Sequence, residues 1–310
     1  MVLNSFFQCA VLVTGIVGRA TNGLILYAMI VSKQHKKHLL IFHQNVLDCV
    51  SSALTVITYS VKLCDIYLSG TIGFLLCALV DSESFLSAPV FGSIINLVAI
   101  TIERYLKIVH SAWSQKNVRK WMIYSVMVFA WISGFVFYLG LVFPTSIVID
   151  GECYAYAIWE KEIYSLLPVT FTFIFMYVVV LLIFIFCYWR ILIVIRRQAA
   201  VMASHGTATG SSAGQTQSHQ IQSNVIKTMI TVCVFYAITW LPNYVFIFLL
   251  MLSPNPPVLD TGYYVSMFLA FLYTSGNPFI YVLNFDPVKK VLLGLFSCKK
   301  PSEQATQNVA

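Results

Sequence analysis

The sequence predicts an all-α membrane protein: a seven-transmembrane helix bundle with a short amphipathic cytoplasmic helix after the seventh span. Three observations predict it. The 310 residues are 59% hydrophobic and only 10% charged, with a mean hydropathy of +0.81, whereas soluble domains carry roughly 25% charged residues. Seven predominantly apolar stretches, 6–31, 39–63, 74–108, 121–143, 163–190, 224–252 and 263–285, are each long enough for a helix to cross a hydrocarbon layer of ~30 Å. None of them alternates with period two, so helices and not barrel strands satisfy the backbone in lipid.

The charges orient the bundle. Of 19 Lys and Arg residues, sixteen fall in 31–38, 104–120, 190–227 and 286–300, while eight of the twelve acids lie in the opposite loops and helix tops. Basic loops mark the cytoplasmic side. The expected placement is therefore a multi-pass membrane protein in contact with the lipid bilayer, with the N-terminus extracellular and the C-terminus cytoplasmic. The net charge of +7 then describes the inner face and calls for no nucleic acid. The first span lacks the charged start and small-residue cleavage site of a signal peptide, so it reads as a mature helix. No Asn-x-Ser/Thr sequon is present to check the topology.

Taken in order, the first span carries Arg19 and Asn22 among apolar neighbours. Arg19 either snorkels or pairs structurally, or it receives an anionic ligand group. The second span buries Asp48, and a lone intramembrane carboxylate marks a functional site. In the third, Leu86, Ser93 and Arg104 share one face, because separations of 11 and 18 residues return to nearly the same angle at 100° per residue. Pro89 is expected to disturb its outer half. The fourth span holds Trp131, and the outer loop after it holds Asp150-Gly-Glu-Cys153. Cys9, Cys64, Cys77 and Cys153 are the outer candidates for a disulfide, and their pairing is open. The fifth span ends on a basic exit at Arg190. Residues 203–220, rich in Gly, Ser, Thr, Ala and Gln, read as a flexible cytoplasmic loop. The sixth bends at Pro242. The seventh gathers Tyr273 to Tyr281 around Pro278. Residues 286–297 then form a helix with cationic and apolar faces, Cys298 beside Lys299 and Lys300 is either palmitoylated or a plain thiol, and 301–310 are a disordered tail.

In this order and on these spans, Asn22, Asp48, Cys77 with Cys153, Glu103-Arg104-Tyr105, Trp131, Tyr188, Trp240-Leu241-Pro242 and Asn277-Pro278-x-x-Tyr281 resemble the rhodopsin-like (class A) G-protein-coupled receptors, over about residues 6–297. The resemblance implies one receptor domain (1–300), a Cys77–Cys153 disulfide, an extracellular ligand and a heterotrimeric G protein as partners, and no enzyme activity. It implies that Glu103 restrains Arg104 at rest, that Arg104 meets the G protein with Tyr188 and Tyr281 on activation, and that Trp240 and Pro242 hinge an outward-moving sixth span. It places the ligand pocket at Asp81, Glu83, Leu86, Trp240, Asn243, Tyr244 and Phe271. It also implies a sodium ion, acting as an allosteric modulator, at Asp48, Ser93, Asn22 and Asn277; no other cofactor and no metal site is expected.

The departures carry expectations of their own. No acid stands in Gln220–Ile226 to latch Arg104, which predicts raised basal signalling. Val180 replaces a mid-helix proline in the fifth span. Cys77 lies about two residues farther from Arg104 than is common in the family, and Tyr273 replaces a polar amide near the ion site. Leu86 where monoamine receptors have an aspartate disfavours such amines, and Phe271 where opsins have a lysine disfavours retinal. An acidic, aromatic outer rim favours a cationic or amidated peptide. A transporter or channel is the alternative from another class; it would favour internal repeats, which the two halves do not show.

Overall fold

In the computed structural model, residues 2–155, 162–205, 213–252, 260–284 and 286–296 are described. Side chains are described within 5–155, 167–201, 224–249, 261–281 and 288–295, apart from residues 199 and 225. The first span is α1 (Val2–Val31) and the second α2 (Leu39–Leu63). The third comprises α3 (Gly70–Leu76), a wide π-type turn (Cys77–Asp81) and α4 (Ser84–Val109). A short α5 (Ser111–Asn117) leads into the fourth, α6 (Lys120–Val142). The fifth is α7 (Glu162–Thr172), a second π-type segment (Phe173–Val178) and α8 (Val179–His205). The sixth is α9 (Ala213–Leu252), the seventh α10 (Asp260–Asn284), and α11 (Asp286–Phe296) follows it.

Among the described residues, six spans are long and apolar enough to cross a membrane by length and composition. The seventh long helix, α10, is diluted by Thr274, Ser275, Gly276 and Asn277, the same groups that give it chemistry. Many large apolar side chains, among them Ile132, Val136, Leu182 and Ile185, face outward, as lipid-contacting surfaces do. The core runs the length of the bundle between α4, α8, α9 and α10.

Three features differ from the sequence expectation. The third span breaks at Ser82–Glu83, upstream of Pro89: Glu83 adopts a left-handed φ of 61° just before α4, and Pro89 sits inside a continuous helix. A π-type turn holds an extra residue within a helix, and together with the break at Ser82–Glu83 it takes up the long Cys77–Arg104 spacing. Part of 203–220 is helical, since α8 runs to His205 and α9 starts at Ala213. Extending a helix already nucleated in the bundle is far easier than starting one, and Ala, Met and Gln are good formers; residues 206–212 lie outside the described ones. The outer loop contains an antiparallel β-hairpin, β1 (Ile147–Ile149) with β2 (Glu152–Tyr154). Its Asp150-Gly151 turn has φ of 52° and 84°, the pair of positive angles that Asp-Gly tolerates best. The expected tail 301–310 and Cys298 lie outside the described residues.

Candidate functional site

The inner end, defined by its basic loops, is organised around Arg104 on the last turns of α4. Arg104 Nη2 lies 3.0 Å from His38 Nδ1, and Glu103 Oε2 is 3.9 Å from the same Arg104 nitrogen. Glu103 gives its other oxygen to Lys107 Nζ at 2.6 Å. Guanidinium only donates, so His38 Nδ1 accepts and its proton sits on Nε2. Burial first, and then Arg104, Lys107 and Lys37, lower the His38 imidazole from 6.5 to about 4, so the ring is neutral at pH 7 and able to accept. Arg104 Nε is buried with no hydrogen-bond partner among the described residues. Tyr105 pairs with His110 at 3.1 Å. Tyr188 OH meets Thr101 Oγ1 at 3.2 Å, and Tyr281 OH is buried without a partner among the described residues.

At mid-depth, Asp48 is the end of an ordered hydrogen-bond chain. The Trp131 indole can only donate, and it donates to His43 Nε2 at 2.9 Å. His43 Nδ1 therefore carries the proton, toward Asn96 Oδ1 at 2.9 Å. Asn96 Nδ2 then donates to the Leu40 carbonyl at 3.0 Å and to Gln44 Oε1 at 2.8 Å. That fixes Gln44 Nε2 toward Asp48 Oδ1 at 3.4 Å and toward Ser93 Oγ. Ser93 Oγ donates to Asp48 Oδ1 and Asn277 Nδ2 to Asp48 Oδ2, each at 2.8 Å.

This donor set does not fit a sodium ion. A cation needs several lone pairs facing one point, whereas three donors converge on the Asp48 carboxyl and Gln44 cannot turn without breaking its bond from Asn96. Tyr273, fully buried, fills the same region with its hydroxyl 3.4 Å from Ser93 Oγ. Asn22 Oδ1 and Asn277 Oδ1 are buried acceptors without partners among the described residues. They are neutral oxygens and bring no second negative charge to a carboxylate that already accepts three hydrogen bonds. Asn22 itself donates to the Gly18 and Thr274 carbonyls, tying α1 to α10.

At the outer end, the Cys77–Cys153 disulfide joins the π-type turn to β2, with Cα atoms 5.2 Å apart, while Cys9 and Cys64 are free and exposed. The expected pocket residues separate into four groups. Asp81 lines an outer cavity of about 490 Å³ with Gln8, Lys62, Asp65 and Glu152. Glu83 is engaged within the protein, accepting from Tyr59 OH at 2.7 Å and Lys62 Nζ at 2.6 Å. Leu86 packs with Phe7, Val11 and Tyr59, against which Phe271 rests. Trp240 and Tyr244 lie deeper, their rings 6.0 Å apart and next to Tyr236 and Tyr273. Trp240 Nε1 and Asn243 Oδ1 are a buried donor and acceptor without partners among the described residues. Arg19 is exposed on the bundle surface and donates to Cys49 Sγ at 3.0 Å, a structural contact on the lipid side.

The profile described as "7 transmembrane receptor (rhodopsin family)" matches residues 21–281. The chain belongs to this family. It is similar to the mouse (Mus musculus) protein named "Probable G-protein coupled receptor 33", with 24% identity over 296 residues, 91% of this chain and 82% of that receptor. The Rattus rattus protein of the same name is 23% identical over 317 residues, covering 98% and 88%. The fold resembles the crystal structure of squid rhodopsin with a TM-score of 0.74 at 17% identity, over 96% of this chain and 87% of that one. The chain is thus a multi-pass seven-transmembrane receptor that signals through a G protein and is not an enzyme, and the transporter reading is set aside.

Sequence reasoning missed His38, His43, Gln44, Asn96 and the Lys62–Glu83 pair. His43-Gln44 one turn before Asp48 was a visible signal, since polar groups at i−4 and i−5 on a membrane helix need partners of their own. His38 carried none: its role depends on how α1 and α2 turn.

Proposed function

We propose that the chain is a plasma-membrane receptor with its N-terminus outside, resting in the arrangement described. It binds an extracellular cationic or amidated peptide and activates a heterotrimeric G protein when the sixth span moves outward about Pro242. The observation that carries the reading is Arg104, held at the inner end by His38 and Glu103 with its Nε unsatisfied. A buried guanidinium left partly unpaired stores free energy that a partner at that end can release. Peptide as the ligand class is supported by Asp65, Asp81 and Glu152 lining a cavity with Lys62 as the one cation among its described lining residues, and by the buried Trp240 Nε1 and Asn243 Oδ1, a donor and an acceptor able to pair with a peptide amide.

The test is a G-protein activation screen of cells expressing wild type or Arg104→Ala, challenged with basic amidated peptides. Activation by a peptide in wild type, lost in the variant at equal surface expression, is expected. A lipid or small metabolite activating the cells while every peptide fails would reverse the ligand class.

A further inference from the structure

Arg19 lies on the outward face of α1, and among the described residues its guanidinium donates to one acceptor, Cys49 Sγ at 3.0 Å. Thiol sulfur is a weak acceptor, whereas guanidinium offers five N–H donors in a fixed fork. No carboxylate of the described residues forms an ion pair with it. The Cys49 contact also fixes its depth. Cys49 stands ten residues past Leu39, the inner end of α2, which is about 15 Å along the helix axis. The guanidinium is thus held near the middle of a hydrocarbon layer of ~30 Å, and it does not stretch to an interface as a snorkelling arginine does. A charge at that depth is expensive, and such groups characteristically pair with another intramembrane group.

The surface around Arg19 suits a helix. Ile16, Ala20, Gly23 and Tyr27 share its face at 100° per residue, and Ile16, Ala20 and Tyr27 are exposed. Gly15 and Gly18 of the same helix close on Ser52, Thr55 and Ser275, but a Cβ at Gly23 would meet nothing within 4 Å. Small residues let membrane helices bring their backbones together, and polar groups then bind across the pair. Charge decides the occupant. A second copy of this chain does not supply the acid: Asp48, the acid at that depth among the described residues, is fully buried and already accepts from Ser93 and Asn277. Two copies joined symmetrically through this face would set Arg19 against Arg19. A free fatty acid keeps its carboxylate in the wet interface, since taking the charge into hydrocarbon is costly. A carboxylate at mid-depth has to be carried there by a helix.

We propose that the outward face of α1 around Arg19 docks a separate membrane-spanning helix bearing an Asp or Glu at mid-depth. The carboxylate takes the Arg19 N–H groups that Cys49 leaves unused, and Gly23 admits the partner's backbone. Each charge relieves the other. The arginine gains an oxygen acceptor, and an acid that is neutral when alone in hydrocarbon ionises against the guanidinium. The proposal rests on the spans crossing a membrane and on neither the ligand nor the G protein.

The test places the full-length receptor, fluorescently tagged at its C-terminus, in phosphatidylcholine vesicles. The probe is a dye-labelled single-pass peptide of about twenty leucines with Glu, Gln or Leu at its centre, and association is read by energy transfer. Wild type is expected to take up the Glu peptide about tenfold more tightly than the Gln or Leu peptide. Arg19→Leu should abolish that preference. Gly23→Leu, which disturbs no packed side chain of the bundle, should weaken it severalfold with the charge intact. Ile185→Ala, on the exposed face of α8, should leave it unchanged. Equal uptake of the three peptides by wild type, a preference that survives Arg19→Leu, or indifference to Gly23→Leu overturns the docking face. Oleate displacing the Glu peptide at equal mole fraction overturns the helix as occupant in favour of a fatty acid. Energy transfer between two receptor copies that disappears in Arg19→Leu overturns it in favour of a second copy.

Discussion

His38 supplies what the start of the sixth span was expected to lack. The side chains of 220–223 lie outside the described residues, so a contact from that element is not at issue; the contact present comes from the turn before α2. Replacing His38 by Ala removes one charge-assisted hydrogen bond, worth about 1 kcal/mol at this half-buried position, so basal signalling should rise about fivefold in a ligand-free G-protein assay. Acid should act in the same direction. The imidazole is lowered to about 4 while it faces Arg104, Lys107 and Lys37, and once released it returns toward 6.5. Between those values protonation favours release. Basal activity in inside-out membranes should therefore climb as the cytoplasmic-side pH falls from about 7.5 to about 5.5, and the climb should vanish in His38→Gln. At Asp48 the expectation is insensitivity: replacing sodium by choline should leave the thermal midpoint of the solubilised receptor unchanged. A sodium-specific rise would mean that Gln44 does turn.

Among the elements, the third and fourth spans meet through paired small residues. Gly92 lies against the Ala130 carbonyl, and Gly134 against the Ala88 carbonyl. Both helices thus present Ala and Gly four residues apart, the spacing that lets membrane helices bring their backbones together. A Cβ at Gly134 would meet Ala88 backbone, which cannot rotate aside, so Gly134→Val should destabilise by about 1–3 kcal/mol and lower the thermal midpoint. Gly140→Ala, where nothing lies within 4 Å, is the matched control. This contact was present in the sequence as spacing alone, without any indication of which helix faced which. The seven spans, by contrast, were legible because each is a local property of about 25 residues. The π-type turns were not: Cys77–Asp81 and Phe173–Val178 contain no proline or glycine to mark them.

Across the whole molecule, the switch residues named from the sequence occupy the two ends and the middle of one bundle, but the link between the fifth and sixth spans was illegible, since both of its partners are backbone. Tyr177 OH donates to the Ala237 carbonyl at 3.0 Å, and Tyr236 OH donates back to the Met176 carbonyl. Met176 lies in the π-type segment, where irregular backbone leaves carbonyls open to side-chain donors, and Ala237 lies one residue before Ile238, whose carbonyl loses its helical donor at Pro242. Val180 in place of proline therefore does not leave the fifth span regular; the π-type segment provides the irregularity. Both bonds lie on the inner side of Pro242, so an outward swing of the lower sixth span stretches them while the rings above stay packed. Interhelical hydrogen bonds in membranes average about 0.6 kcal/mol, and losing two shifts the resting equilibrium by about 1.2 kcal/mol, or roughly sevenfold. Tyr177→Phe with Tyr236→Phe keeps the aromatic packing and should raise ligand-free signalling by about that factor, each single change contributing part of it. Basal activity unchanged or lowered at equal surface expression would place the pivot of the sixth span below Tyr236 and remove the clasp from the switch.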